Sequence, residues 1–593
     1  MPTAGPEGFL GVTRSLLGKR WLERPADDRL ALAMAQRLDL PEIVGRVLAS
    51  RGVGIDDAPG FLDPKLRDGL PDPSHLKDMD VGVARLAKAV MAGEKIAVFA
   101  DYDVDGATSA ALLSRFLGAV GAPLLIYVPD RRREGYGPST EAFEYLLGEG
   151  AAVVICVDCG TTAHEPLQAA ADSGLDVLVI DHHEGEAQLP RAVAIINPNR
   201  LDEESPHRQL AAVGVTFLLV VALNRALRRA GWYEGRAEPD LMQWLDLVAL
   251  GTVCDVVPLT GVNRALVAQG LAVMAWRGNP GLRALADVAA MKEAPGTYHA
   301  GFLLGPRINA GGRVGEAGQG AQLLATDDAM EAAVIALRLD GLNRERQGVE
   351  AGVHDAAAAV IAAAGEPPAT LVLAAGEGWH PGVIGIVAGR LKERFNRPAL
   401  VVSFDGDLGT GSGRSVPGAN LGAAVIAARQ AGLLVKGGGH AMAAGFTVER
   451  HRLKDMEAFL AERLATAMGA EELVPRLRLD GAVRTSGATR ELVAALEKVA
   501  PFGAGNPEPR FAISGARIVR ADVVGDDHVR CILVGENGTR LKAIAFRVLD
   551  GPLGPALLDH GGTPFHFAGR LRSDTWQGRN DVQLFIDDAS RAW

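Results

Sequence analysis

Three short apolar runs in the first half of the chain each end in acidic or imidazole side chains. IAVFA runs into Asp101-Tyr102-Asp103-Val104-Asp105-Gly106, AVVICV runs into Asp158, and DVLVI runs into Asp181-His182-His183. A fourth acidic candidate, Asp255, follows the apolar helix-like run LMQWLDLVALGTVC. Hard Mg²⁺ or Mn²⁺ requires carboxylate oxygen, and imidazole nitrogen adds affinity for Mn²⁺. Two such ions about 3.5–4 Å apart need a bridging carboxylate and further ligands on each side. Gathering so many negative charges is unfavourable without cations, so the clustering itself argues for metal. A single Asp after a strand is ordinarily a helix N-cap. That reading does not account for D-x-D-x-D-G, a later Asp and D-H-H together, all at strand ends. Alternation would put the three carboxylates of D-Y-D-V-D on one side of a true strand. The expectation here is instead a strand-to-helix loop, which Gly106 helps to turn.

For these residues to meet, the runs that carry them must lie side by side. From about residue 81, KIAVFA, PLLIYV, AVVICV, DVLVI and AVAIIN alternate with amphipathic stretches such as ATSAALLSRFLGAVG. That rhythm predicts a parallel sheet covered by helices, whose strand C-termini share one ligand-binding edge. Residues 1–80 read as short helices with turns, 81–255 as the parallel-sheet domain and 256–363 as a helical connector. The connector is broken by the Gly-rich GPRINAGGRVGEAG. A smaller α/β domain is expected over 364–470, with AGEPP as its boundary, ATLVLAA and RPALVVSF as strands, and HPGVIGIVAGRLKERF as a loop entering a helix. From 471 to 593 the alternation of RLRLDGAV, RFAISGARIV, HVRCILVG, RLKAIAFRV, PFHFAGRLR and DVQLFID predicts a small antiparallel β-barrel or sandwich. The fold class is thus α/β multidomain.

A chain of 593 residues is long enough for about three or four domains. The formal net charge of −11 argues weakly against nucleic acid, but a metal site needs its own carboxylates and basic residues can cluster locally. Four cysteines make a disulfide framework unexpected and a reducing cytoplasm the default. Cys156-x-x-Cys159 lacks a second pair, and Cys156 lies in an apolar strand, so neither zinc nor redox chemistry is assigned to it. No secretory signal is read at the N-terminus, and no stretch of ~18 apolar residues predicts a membrane span.

VFADYDVDGATSAALL, VDCGTT, DHHE and GTVCDVVPL resemble successive motifs of the DHH phosphoesterase family. The resemblance implies that Asp101, Asp103, Asp105, Asp158, His182 and Asp255 hold two Mn²⁺ or Mg²⁺ ions, with Asp158 bridging. It implies that His183 touches the substrate phosphate or supports the metal indirectly. Some small-substrate members carry a metal-binding His four residues before the first Asp. This chain has Ala97 there, and Asp105 is expected to supply the ligand. KGGGHAMAAGF, residues 436–446, resembles the family's second, DHHA1-type domain, which implies substrate binding by Gly438, Gly439 and His440. Chemically, a glycine run can bring backbone N–H groups close to a phosphate, or it can be a flexible turn.

GPRINAGGRVG, WHPGVIGIVAGRLKERFNRPA and GSGRSVPG resemble the exonuclease branch of the family. Arg307, Arg313 and Arg414 sit there in Gly-rich, loop-like settings suited to bidentate phosphate contacts, Ser412 adds a hydroxyl, and Arg131 in PDRRREGYG is a further candidate. PFGAGNPEP resembles the signature preceding that branch's OB-like, nucleic-acid-binding barrel. Aromatics are only 5% of the chain, and Phe511, Phe565, Phe567 and Trp576 are not assigned to base stacking. The resemblance spans essentially the whole chain. It implies a cytoplasmic, monomeric 5′→3′ exonuclease that hydrolyses terminal phosphodiesters of single-stranded DNA to 5′ mononucleotides in recombination and repair. Single-strand-binding protein and a RecQ-type helicase are its implied partners. The alternative is a DHH hydrolase of short oligonucleotides or cyclic dinucleotides, which would need neither barrel nor basic channel. A decayed scaffold would have lost ligands, and here every expected carboxylate and both histidines are present.

Overall fold

The computed structural model describes residues 8–130, 133–365, 370–468, 474–574 and 581–592. They form two units. One comprises Asp63–Arg346 with Ala500–Pro507, the other Met1–Leu62, Gln347–Val499 and Glu508–Trp593. The chain passes between them within the helix Ala329–Ala363. Residues 366–368 of the expected AGEPP boundary lie outside the described residues. Strands are numbered along the chain, beginning with β1 (Arg20–Glu23) in the second unit.

The first unit is built on β2 (Ile96–Ala100), β3 (Leu124–Tyr127), β4 (Val153–Val157), β5 (Asp176–Ile180) and β6 (Ala194–Ile196). All are parallel, in the order β3-β2-β4-β5-β6. Successive side chains of a strand point to opposite faces. Ile96, Val98, Val153, Ile155, Leu178 and Ile180 therefore enter one core, and Phe99, Val154, Cys156, Val177 and Val179 the other. The helix Val104–Ala119 after β2 covers the first face with Leu112, Leu113 and Phe116. The helix Thr140–Gly148 after β3 covers the second with Phe143 and Leu146. From β3 the chain crosses back to set β4 on the other side of β2. The order reverses there, which opens a crevice beyond the C-termini of β2 and β4. Cys156 and Cys159 are free and buried in the second core.

The expected Gly-rich break at GPRINAGGRVG is instead a helix, so the loop-like setting read for Arg307 and Arg313 is corrected. A π-helical turn, His299–Leu304, leads into the helix Gly305–Val314. Its glycine serves close packing: a Cβ on Gly312 would stand 1.9 Å from a ring carbon of Tyr102.

The second unit holds a mixed sheet of β7 (Val372–Glu377), β8 (Ala399–Asp405), β9 (Leu408–Arg414), β10 (Lys436–His440) and β11 (Ala443–Glu449). Its order is β10-β11-β9-β8-β7, with only β7 and β8 parallel. Ser412 and Arg414 thus lie on a strand rather than a loop. So do Gly438, Gly439 and His440, on β10 at the edge of the sheet, which pairs with β11 on one side. β12 (Arg476–Leu479), in the RLRLDGAV run expected among the antiparallel strands, pairs instead in parallel with β1 and outside the barrel, a partner the helical reading of residues 1–80 did not supply. A closed barrel follows: β13 (Phe511–Val524), β14 (His528–Val534), β15 (Arg540–Ala545), β16 (Pro564–Asp574) and β17 (Asp581–Arg591), in the order β13-β14-β15-β17-β16. Every pair is antiparallel except β15 with β17, the Greek-key closure of an OB fold. Phe511, Phe565 and Phe567 are buried in it, and Trp576 lies outside the described residues.

Asp480, just after β12, ties this unit together. It is 1% exposed and accepts from Arg51 Nη1 at 2.6 Å and from the backbone N–H of Arg510 at 2.9 Å. Asp480→Ala leaves the buried Arg51 guanidinium without its carboxylate, a change that costs about 3–5 kcal/mol. Urea unfolding should register that loss, and a change under about 1 kcal/mol would show the pair to be dispensable.

Candidate metal centre

The sheet places the acidic residues by prolonging its ladder one step past each strand. The N–H groups of Asp101, Asp158 and Asp181 donate to Val157 O at 3.3 Å, Ile180 O at 3.0 Å and Ile196 O at 3.2 Å. Asp101, Tyr102 and Asp103 form the expected link between β2 and the following helix, which Asp103 caps, and Asp105 lies in that helix's first turn. Asp103 Oδ1 accepts from the N–H groups of Asp105 at 2.9 Å and Gly106 at 3.1 Å, so the N-cap reading holds for this residue alongside its place in the cluster. Gly106 does not turn a loop; it is helical, and a Cβ there would stand 2.2 Å from Asp101 O. Asp105 is fully buried and takes the first two N–H groups of the helix Ala212–Arg229, from Ala212 at 2.7 Å and Val213 at 2.8 Å.

His182 stands at the convergence. Its Nε2 lies 3.3 Å from Asp158 Oδ1, 3.6 Å from Asp255 Oδ2 and 3.9 Å from Asp105 Oδ2. Three sets of ligand atoms lie within 4.8 Å of one another: Asp101, Asp103 and Asp158; Asp105, His182 and Asp255; and Asp158, His182 and His183. Asp158 belongs to both the Asp101–Asp103 set and a histidine set, the position a bridging carboxylate needs. Asp158 Oδ1, His182 Nε2 and Asp255 Oδ2 are buried and make no hydrogen bond among the described residues. Buried polar atoms are nearly always satisfied, so three that are not, aimed at one point, mark a cation site. The donor set is the oxygen-rich, imidazole-assisted one that suits Mn²⁺ or Mg²⁺. Asp158 and Val256, the residue after Asp255, adopt φ of +61° and +62°, a strained backbone of the kind found at functional sites.

Asp181 does different work. Its Oδ1 accepts from the N–H groups of His182 at 2.8 Å and His183 at 3.2 Å and from His183 Nδ1 at 2.7 Å, while Oδ2 takes Thr161 N–H at 3.1 Å. Asn197, at 0% exposure, donates to His183 O and Thr161 Oγ1, both at 2.8 Å, and Asn199 donates to His182 O at 2.6 Å. Tyr136 donates to Asp158 O at 3.1 Å. The sequence reading gave no role to Asp181, Thr161, Asn197, Asn199 or Tyr136. AIINPNR was the available sign: it ends a strand in polar residues as the acidic runs do.

The charges sort the carboxylates into two kinds. Burial, then the neighbouring Asp103, Asp105, Asp101 and Asp255, pushes Asp158 well above the usual carboxylate range. Burial and Asp255 push Asp105 up to about 7 against the pull of His182. Burial and Asp103 push Asp255 up to about 7. Burial would also raise Asp181, but the hydrogen bond and charge of His183 hold it below the usual range. Burial would lower His183, yet its bond to Asp181 lifts it to about 9.

The remaining predicted residues divide by unit. Arg307 is engaged internally, Nε with Asp340 Oδ1 at 2.9 Å and Nη1 with Leu303 O at 2.7 Å. Arg313 lies in the last turn of the same helix. Arg131 lies outside the described residues. In the other unit the sheet aligns residues distant in sequence. Arg414 and His440 both pair with Ala443, and Ser412 and Gly438 both pair with Gly445.

Three family descriptions match parts of the chain: DHH family, N-terminal domain, over residues 95–252; DHHA1 domain over 368–466; and RecJ OB domain over 479–588. The single-stranded-DNA-specific exonuclease RecJ of Salmonella typhimurium is 37% identical over 586 residues, 96% of this chain and 99% of that protein. The Escherichia coli protein of the same name is 37% identical over 567 residues, covering 93% and 96%. Among solved structures, RecJ of Thermus thermophilus in complex with Mn²⁺ superposes with a TM-score of 0.80 at 30% identity, covering 96% of this chain and 79% of that one. Its complex with Mg²⁺ gives 0.75 at 28% identity, covering 96% and 78%.

Raised carboxylates make the metal-free protein pH-sensitive in a definite direction. Between about 4 and about 7 the folded chain holds protons on Asp105 and Asp255 that the unfolded chain has released, so stability falls as pH rises through that window. His183 acts in the same sense up to about 9. Bound cations relieve the repulsion. Thermal unfolding should show a Mn²⁺-induced rise in Tm that grows from pH 5.5 to pH 8. A rise of constant size would separate metal binding from these carboxylates.

Proposed function

The chain belongs to the RecJ family of single-stranded-DNA-specific exonucleases, and from that premise we propose how its residues serve hydrolysis of a terminal phosphodiester. It is a metal-dependent nuclease. The observation that carries the residue assignment is the convergence of Asp158 Oδ1, His182 Nε2 and Asp255 Oδ2, buried and unsatisfied. Asp101, Asp103, Asp105, Asp158, His182 and Asp255 would hold two divalent cations, and Asp158 stands in two of the groups of ligand atoms. Such cations, when bound, supply the charge that lowers the pKa of water and neutralises the phosphate.

The chain's own residues do the rest. Asp105 fixes the cluster to the helix behind it through two backbone N–H groups and keeps further lone pairs for a ligand. Asp181 accepts from His183 Nδ1 and holds the ring protonated at neutral pH, so Nε2–H, 3.4 Å from the Tyr136 hydroxyl, is a second donor, and it donates to a non-bridging phosphate oxygen. Asn197 and Asn199 hold the backbone carbonyls of both histidines, which sets the rings' positions. Ser412, Arg414 and His440, with the backbone at Gly438 and Gly439, contact phosphates of the strand. Arg313 contacts phosphate in the same way, and the resemblance implies it also for Arg131, which lies outside the described residues. Arg307, held by Asp340, keeps its helix in place and reaches phosphate only by giving up that pair.

The finer parts of the reading rest on family resemblance alone: attack from the 5′ end, partnership with single-strand-binding protein and a RecQ-type helicase, a cytoplasmic setting and a monomeric state. Among the described residues no helix is long and apolar enough to cross a membrane.

Mononucleotide release from end-labelled single- and double-stranded DNA, with Mn²⁺ and with EDTA, tests the assignment. Asp158→Asn is the informative variant, because Asn tolerates the positive φ that Ala would strain. Metal-dependent release from the 5′ end of single strands is expected. In the variant it should fall more than about 100-fold, since even residues that only orient ligands are worth about 10–100-fold. Turnover of short oligonucleotides or cyclic dinucleotides alone would move the substrate class, and an active Asp158→Asn would remove the bridging role.

A further inference from the structure

Beside the acidic cluster the fold leaves two large aromatic rings in water. Tyr298 is 61% exposed and Phe302 71%, and they stack on each other with centroids 5.5 Å apart and planes 22° apart. Both stand on the π-helical turn His299–Leu304 and the residue preceding it. The turn's other side is buried. Ala300 and Leu304 join the core, and Cys254 Sγ donates to Ala300 O at 3.4 Å. A Cβ on Gly301 would stand 3.5 Å from Val253 Cγ1, and one on Gly305 2.5 Å from Cys254 Sγ. The turn therefore rests on the two residues immediately before Asp255. Further along the same helical segment, Gly312 rests on Tyr102, between Asp101 and Asp103. Residues 298–314 thus run along the cluster, with the aromatic pair at the Asp255 end. His299 anchors that end, its Nδ1 accepting Gly296 N–H at 3.1 Å and its ring lying edge-on to Tyr298.

We propose that Tyr298 and Phe302 are a stacking platform for a base of the single strand near its reacting end. The proposal rests on the exonuclease reading above. π-turns inside helices concentrate at functional sites, and this one presents rings that bury little of the protein's own surface. Every base has a π-face, so a ring platform grips a strand without reading its sequence. A base free to lie on Phe302 must have left its partner and its stack. A single strand offers such a base readily and a duplex does not, so the platform adds to single-strand preference through the bases while other residues hold the phosphates.

The test uses 5′-phosphorylated oligonucleotides with one abasic site moved stepwise from the 5′ end, and reads KM and kcat separately. Wild type, Tyr298→Leu, Phe302→Leu and Phe302→Tyr are compared; Leu keeps the apolar bulk at these exposed positions and loses the ring. In the wild type, an abasic site at one or two adjacent positions should raise KM about 5- to 100-fold, the range of a base–aromatic stack. In Phe302→Leu the intact oligonucleotide should already show that loss, with no further positional penalty, and Phe302→Tyr should restore it. A penalty that persists unchanged in both Leu variants, or an active wild type indifferent to abasic position, overturns the platform; the pair then serves a protein partner or none. Absence of metal-dependent release from the intact oligonucleotide is a different result, because it removes the exonuclease reading itself.

Discussion

The structure turns on one electrostatic constraint: Asp105, Asp158 and Asp255 are brought together beside two histidines with no arginine or lysine paired to them among the described residues. Among the described residues, the ion pairs reaching Asp105, Asp158 and Asp255 come from histidine alone. Arginines elsewhere in the unit are spent on other acids, Arg200 on Asp78 and Asp202, and Arg307 on Asp340. The sheet, its switch point between β2 and β4, and the capped helix after β2 hold like charges where they would otherwise repel one another apart. A divalent cation relieves that arrangement with charge the chain does not supply.

Donors decide which aspartate does which job. Asp181 is filled by four N–H groups and is held ionised; it shapes the turn that presents both histidines. Asp105 is filled by two backbone donors yet is pushed upward by burial and Asp255, so it serves both as anchor and as a member of the cluster. Among the described residues, Asp158 and Asp255 each keep a buried oxygen with no hydrogen-bond donor. Residues of one type, within one crevice, are thereby divided between scaffold and chemistry by hydrogen bonds from Thr161, Ala212, Val213 and the histidines themselves.

Much of this was legible in the sequence, and the limits have physical causes. Strands β2 to β6 were readable because burial on both faces demands continuous apolar runs, and the polar residues ending them mark the edge where a ligand sits. The barrel was readable from period-two alternation. Gly-rich segments misled: glycine at 312 answers to the ring of Tyr102, a long-range contact that looks like flexibility in one dimension. The β1–β12 pair joins residues more than four hundred positions apart, and nothing local to Arg20–Glu23 names its partner. Asp181 read as one more acid because three of its four donors are backbone N–H groups, and Tyr298 and Phe302 drew no reading because exposure is not written in residue type.

The most direct measurement is the stoichiometry and magnetic coupling of Mn²⁺ bound to the full chain, by titration and electron paramagnetic resonance. If the buried cluster is a two-ion centre with Asp158 between the sites, two Mn²⁺ bind per chain. Their signal then shows the exchange coupling of ions about 3.5–4 Å apart, and Asp158→Asn abolishes the coupling. A single uncoupled Mn²⁺, or a coupled pair that survives in Asp158→Asn, would contradict the account.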